Sequence, residues 1–150
     1  MKIGLASDHA GYPLKMSILE YLQESGISFV DYGCGEDEKV DYVDYAIKAL
    51  EGYFAGDCDS LILVCGTGIG MTMVANKYKG IRATLCCDEY MAEMSKAHND
   101  SNCLTLGGRI LPRDEGVFIV KTWVETEYEG GRHQIRLDKI AQIEDKNFKA

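Results

Sequence analysis

Cys65 closes an apolar run, Leu61 to Val64, and is followed by Gly66, Gly68 and Gly70 at alternate positions. A short, continuous apolar run of this kind reads as a buried strand, and the residues from about Gly70 onward read as a helix. A glycine-rich turn between strand and helix frees several backbone N–H groups to converge on one spot, with the helix dipole behind them. Such a turn holds an anion. A thiol at its mouth has two readings. It is a buried, inert sulfur, the ordinary state of a free cysteine, or it is a nucleophile or general base whose thiolate a helix N-terminus favours.

The turn fits no common phosphate loop. Met71 stands where the dinucleotide fingerprint has its third glycine, although Asp88 lies at the distance of a ribose-binding acid, so a dinucleotide fold stays open. The lysine of a Walker loop is absent. A cysteine phosphatase loop needs a closing arginine, and Met71 occupies that place too. Other reactive residues lie apart in sequence. Asp8 and His9 follow the first apolar segment, and His98 and Asn99 close a helical one. Arg132 and Arg136 are one helical turn apart and share a face, so with Arg109 they suit an anion such as phosphate. Each has a plainer alternative. A loop histidine decorates a surface, a histidine at a helix C-terminus suits the dipole, and arginines pair with carboxylates.

These residues need a scaffold. The chain has 150 residues, enough for a single domain over 1–150 with a real core. Hydrophobic content is 46% and the formal net charge is -8, which suits a folded domain and argues against nucleic acid as a partner. No stretch is long and apolar enough for a membrane span, and the N-terminal residues read as a strand, not a secretory leader. The 6 cysteines include no C-x-x-C pair, so no zinc or redox spacing is present and a reducing, cytoplasmic setting is expected.

The pattern predicts strands at Lys2–Ala6, Ile27–Tyr32, Leu61–Val64, Ile81–Cys87 and Cys103–Leu106. Helices are predicted from Pro13 to Gly26, Val40 to Phe54, Gly70 to Lys77, Glu89 to Ala97, Glu115 to Tyr128, and Arg132 to Lys146. Tyr90, Met91 and Met94 are expected to face inward, Ile135, Ile140 and Ile143 to form the apolar side of the last helix, and Met71 and Met73 to fill the core. Alternation of strand and helix gives an α/β fold: three-layer, Rossmann-like, with a five-stranded parallel sheet. Right-handed crossovers put every strand's C-terminal end on one rim, where ligands bind. Asp8, His9, Cys65 to Gly70, Asp88 and Gly107 to Arg109 fall on that rim. His98 precedes a strand and falls elsewhere.

Several segments together resemble the ribose-5-phosphate isomerase B family, within the wider group that includes galactose-6-phosphate isomerase subunits. They are Gly4 with Asp8–Gly11, Cys65–Met71 with Ala75–Lys77, Gly80–Ala83, Ala97–Asp100 with Asn102, Leu106–Gly107, and Gly130–His133. They keep their order over almost the whole chain. The resemblance implies an aldose–ketose isomerase acting on ribose 5-phosphate and ribulose 5-phosphate through an enediolate, with no metal or organic cofactor. It implies that Cys65 is the general base and that Thr67 and His98 are catalytic, His98 opening the furanose ring. The backbone of Gly66, Gly68, Ile69 and Gly70 would hold the enediolate. Asp8 and His9 would contact the sugar, Asn99 the enediolate side, and Arg109, Arg132 and Arg136 the phosphate. It also implies a homodimer or homotetramer with shared active sites, the C-terminal helix reaching a partner subunit.

Two departures from the family pattern stand out: Val43 in place of a common proline, and the segment Arg109 to Asp114 beside the site. His98 and the Gly131–His133 stretch are typically missing from galactose-6-phosphate subunits, so their presence favours a pentose phosphate. A hexose phosphate such as allose 6-phosphate or galactose 6-phosphate is the near alternative. A non-catalytic nucleotide or sugar-phosphate binding module is the distant one.

Overall fold

A computed structural model describes residues 1–149. Five strands form one parallel sheet: β1 (Lys2–Ser7), β2 (Ser28–Asp31), β3 (Ser60–Cys65), β4 (Ala83–Leu85) and β5 (Cys103–Gly107). Their spatial order is β2-β1-β3-β5-β4. The chain moves outward from β1 to β2, then returns to the far side of β1 to lay down β3. The crevice between β1 and β3 is therefore the point where strand order reverses. Register there pairs Ser7 with Val64, and on the other side of β3 Cys65 pairs with Gly107.

Six helices complete the fold: α1 (Tyr12–Glu24), α2 (Tyr42–Phe54), α3 (Ile69–Ala75), α4 (Glu89–Ala97), α5 (Arg113–Glu125) and α6 (Arg132–Asn147). The sheet is apolar on both faces because helices cover both. On β3 every residue is buried. Ile62 and Val64 face one cluster with α1, α4 and α5, built on Leu14, Ile18, Leu22, Ala92, Val120 and Trp123. Leu61, Leu63 and Cys65 face the other, with Ala46 and Leu50 of α2 and Met71 and Ala75 of α3. Each fully buried side chain of this size contributes about 1.5–3 kcal/mol of transfer free energy.

Local sequence explains the element ends. Pro13 fits the first turn of α1, where its missing N–H costs nothing. Asp41 caps α2 by accepting from the Val43 N–H at 2.9 Å, a bond that a proline at position 43 could not donate. Asp88 caps α4 in the same way, accepting from Met91 N at 2.7 Å. Lys15 is fully buried in α1, its Nζ donating to Asp31 Oδ1 at 2.7 Å and to the Cys34 carbonyl at 2.8 Å. That ammonium ties α1 to β2 and to the loop that follows it.

Some expectations change. The fourth strand is confined to Ala83–Leu85, and the fifth helix ends at Glu125, short of Tyr128. Tyr90 and Met91 are exposed; α4 instead buries Ala92, Ser95 and Ala97, small residues that let it lie close to α5. Met73 is exposed, because α3 is one short stretch whose core positions, Met71 and Ala75, are a helical turn apart. Ile135, Ile140 and Ile143 face solvent in this chain, and α6 buries only His133 and Leu137.

Gly11, the residue before α1, packs directly on the end of β3. A Cβ there would lie 2.3 Å from the Val64 carbonyl oxygen, which is backbone and cannot swing away. Gly11→Ala is expected to cost about 1–3 kcal/mol, as overpacking does. Urea unfolding would measure it; an unchanged midpoint would refute the close-packing account.

Candidate active site

Three loops meet at the C-terminal rim. The last carbonyls of β3 and its turn each accept from a neighbour: Val64 from Asp8 N at 3.2 Å, Cys65 from Gly108 N at 2.8 Å, and Gly66 from Arg109 N at 3.0 Å. The β1, β3 and β5 loops are thereby held against each other, and the expected gathering of Asp8, Cys65 and Arg109 is found. Asp8 is buried, and its Oδ1 accepts from Gly11 N at 2.9 Å, shaping its own turn. His9 is exposed, and its Nδ1 accepts from Val40 N at 3.3 Å. With Nδ1 accepting, a neutral His9 ring carries its proton on Nε2.

Cys65 is buried at the mouth of the glycine turn, where its Sγ accepts from Gly68 N at 3.2 Å. Gly68 itself has φ 80°, a left-handed conformation suited to glycine, and a Cβ there would strike Leu85 and the Leu106 backbone. A Cβ on Gly70 would meet the Tyr42 ring at 2.5 Å, so Tyr42 walls the turn from the α2 side. Thr67 is exposed at the tip, with its Oγ1 accepting from Ile69 N at 3.3 Å. The Arg109 side chain lies against Gly66, its Cδ 3.6 Å from where a Cβ would sit. The result is a thiol set in a turn of close-packed backbone, its Sγ on the Gly68 amide and the Arg109 side chain alongside.

The remaining candidates form a second group. His98, Asn99, Arg132, His133 and Arg136 line a recess of about 320 Å³. Arg136 NH1 donates to the Arg132 carbonyl at 2.8 Å, so the two guanidinium groups rise from the same turn of α6. His98 is the C-cap of α4, just before β5, and therefore lies at the opposite edge of the sheet from Cys65. A strand of five or six residues puts those edges roughly 17–20 Å apart.

Sequence reasoning passed over Glu129 and gave His133 no role, although both lie in that group. The His98 and His133 rings stack with centroids 4.0 Å apart, and Glu129 Oε2 lies 3.2 Å from His133 Nε2 and 3.9 Å from His98 Nε2. The i, i+4 spacing of Glu129 and His133 was the available signal. These are the residues, among those described, that come nearest to a metal-ligand trio. Ring stacking opposes that use: an ion between two nearly parallel imidazoles would sit far out of both ring planes, whereas the nitrogen lone pairs lie in them. The trio fits a hydrogen-bonded cluster beside the arginines.

A doubly wound α/β sheet with a glycine turn and a thiol at its switch point places this chain in the Rossmann-like class, whose ligands bind at that rim. The chain belongs to the ribose/galactose isomerase family, whose model matches residues 3–140. It is 41% identical over 143 residues to ribose-5-phosphate isomerase B of Escherichia coli, covering 95% of this chain and 96% of that protein. A Bacillus subtilis protein named putative sugar phosphate isomerase YwlF is 44% identical over 149 residues, covering 99% of this chain and all of that one. The solved ribose-5-phosphate isomerase B of Clostridium thermocellum superposes with a TM-score of 0.94 at 47% identity, covering 97% of this chain and 99% of that chain. The Mycoplasma genitalium enzyme, solved with bound ribulose-5-phosphate, gives a TM-score of 0.90 at 39% identity and 97% coverage of both chains.

Four other cysteines are buried outside the glycine turn: Cys34, Cys58, Cys86 and Cys103. Burial pushes all four thiols above their ordinary range. Burial also pushes the Tyr32 phenol, beside Cys58, up to about 12. The unfolded chain releases the thiol protons near pH 9 while the folded chain keeps them, so these groups favour folding below that pH and lose their contribution above it. Thermal midpoints are therefore expected to hold level to about pH 8 and to fall from about pH 9 upward. A midpoint that rises through that range would overturn the assignment of these cysteines as protonated core residues.

Proposed function

We propose that this protein interconverts D-ribose 5-phosphate and D-ribulose 5-phosphate through an enediolate. The observation that carries the reading is Cys65 Sγ held at 3.2 Å from Gly68 N, at the mouth of the glycine turn and at the switch point of the sheet. Its membership of a sugar-phosphate isomerase family supports it.

The reaction has three needs. A base must take the C2 proton of the open-chain aldose and return it to C1. The geometry suits Cys65 for this, as thiolate taking the proton and as thiol giving it back. Negative charge on the enediolate oxygens must be held, and the backbone of Gly66 to Gly70 suits that, with Thr67 Oγ1 at its edge. Removing a donor of this kind costs roughly 3–4 kcal/mol of transition-state stabilisation. The remote phosphate must be gripped so that its binding energy is used at the reacting carbons. Arg132 and Arg136 suit that role, with Arg109 on the rim. His98 is proposed to open the furanose ring. Asp8, His9 and Asn99 are proposed to orient the sugar hydroxyls.

The base and the acid stand at opposite edges of one chain's sheet, farther apart than a pentose phosphate extends. We therefore propose that each active site is shared between two copies in a homodimer, or in a tetramer of dimers, with α6 reaching the partner. The solvent-facing Ile135, Ile140 and Ile143 give that helix an apolar surface to bury. Cysteines kept as free thiols suit a cytoplasmic enzyme.

Cys65→Ala is expected to lower kcat/KM on ribose 5-phosphate about a thousandfold, the range of a lost general base, with the fold retained by circular dichroism. Near-normal turnover would remove Cys65 as the base, and a higher kcat/KM on a hexose 6-phosphate would remove the pentose assignment. Subunit mixing tests the sharing. Cys65→Ala and His98→Asn chains are each expected to be inactive, and unfolding and refolding them together is expected to restore about a quarter of wild-type activity, since half the dimers carry one intact site. No recovery in dimers shown to be mixed would refute a shared site.

A further inference from the structure

One polar pair in the core is left unused by that mechanism. Thr105 lies on the central strand β5 and is fully buried, its side chain turned toward α3. Its Oγ1 lies 2.5 Å from Thr72 Oγ1, on α3 directly beneath the glycine turn. Thr72 Oγ1 in turn donates to the Gly68 carbonyl at 2.8 Å. A hydroxyl has one proton to give. The Gly68 carbonyl has none, so the Thr72 proton goes to it. Thr105 must then be the donor to Thr72. The direction of the chain is thus fixed: Thr105 O–H to Thr72 Oγ1, and Thr72 O–H to Gly68 C=O.

The Gly68 carbonyl also accepts from the Thr72 backbone N–H at 3.1 Å, so two donors converge on one oxygen. That carbonyl shares its peptide unit with the N–H of Ile69, which here makes a long 3.3 Å bond to Thr67 Oγ1 at the edge of the turn and would turn to the enediolate when substrate is bound. Drawing electron density toward the oxygen makes the N–H a stronger donor, and hydrogen bonds in a chain reinforce one another in this way. On the other side, the Gly68 N–H is held to Cys65 Sγ. Gly68 is therefore clamped at both ends, by the thiol in front and by the Thr72 amide and hydroxyl behind.

We infer that Thr72 and Thr105 are positioning residues for the isomerisation, a hydroxyl relay that sets and polarises the Gly68–Ile69 peptide facing the enediolate. Neither touches substrate. The relay acts on the charge that develops during reaction, so it bears on kcat and leaves KM for the sugar phosphate nearly alone. This inference rests on the reading of the glycine turn as the enediolate pocket.

The test is steady-state kinetics on Thr72→Val, Thr72→Ser and Thr105→Val. Valine keeps the shape of threonine and deletes the hydroxyl. Thr72→Val is expected to lower kcat about tenfold, a fraction of the hundredfold or more lost with a direct oxyanion donor, with KM within about twofold of wild type. Thr72→Ser restores the hydroxyl and is expected to restore kcat. Thr105→Val leaves the Thr72 bond to Gly68 in place and is expected to cost about two- to threefold in kcat. Should Thr72→Val fail to fold, Thr72→Ala compared with Thr72→Ser carries the same contrast. Wild-type kcat in Thr72→Val, a serine variant as slow as the valine one, or a loss confined to KM would each overturn the relay. A wild-type protein with no isomerase activity would instead remove the reading on which it rests.

Discussion

Three successive carbonyls at the end of β3, those of Val64, Cys65 and Gly66, are each claimed by an amide from a neighbouring loop. The rest of the rim depends on this continuation of the sheet beyond its strands. It ties the loop after β1 and the loop after β5 to the cysteine turn at fixed register. The cost of the arrangement is backbone proximity. Gly11 lies against Val64, Gly107 against Thr67, and Gly108 against Ala10, each too close to admit a Cβ. A loop normally keeps its distance because side chains space it; here the spacing has been removed, and backbone from three parts of the chain meets at the end of β3.

Most of the scaffold was legible because it follows from local signals. Apolar runs bounded by glycine located the strands, alternation with helices implied a parallel sheet, and crossover handedness put Asp8, Cys65 and Arg109 on one rim before any coordinate was known. The same rule set His98 apart, and it is found at the other edge. What sequence could not supply was pairing at a distance. Thr72 and Thr105 are ordinary threonines in a helix and a strand, and their contact depends on how α3 crosses β5. Glu129 and His133 are near in sequence, but only the fold brings His98, from the end of α4, to them. Apolar side chains misled for the opposite reason. Tyr90 and Met91 are expected inside because they are hydrophobic, but hydrophobicity alone does not say which surface covers a residue, or whether it belongs to the same chain.

The two faces of the sheet are held differently. On one, α1, α4 and α5 pack as a broad apolar layer around Trp123. On the other, α2 brings the small residues Ala46 and Ala49, and α3 brings Met71 and Ala75, onto a surface that includes the thiols Cys58, Cys65 and Cys103. The reactive turn belongs to the second face. Its thiol is continuous with that cluster, so the sulfur is anchored from below by packing and from above by one amide. α6 belongs to neither layer. It is pinned to the body through Leu137, through Glu144 on the Gly80 amide and through a Lys79–Asp145 ion pair, and it leaves three isoleucines uncovered.

The glycines around Cys65 carry a consequence for how such a pocket can vary. Its floor is peptide backbone, and at positions 68, 70, 107 and 108 the space for a side chain is already filled by neighbours. Single-residue replacement therefore has almost no means of reshaping the floor short of breaking it. Variation in substrate size or shape has to be written into the walls, through residues such as His9, Tyr42 and Arg109, whose side chains stand at the surface. On the function proposed above, the backbone that would meet the reacting atoms is in this sense insulated from gradual change, and the side chains that would meet the rest of the molecule are the adjustable part.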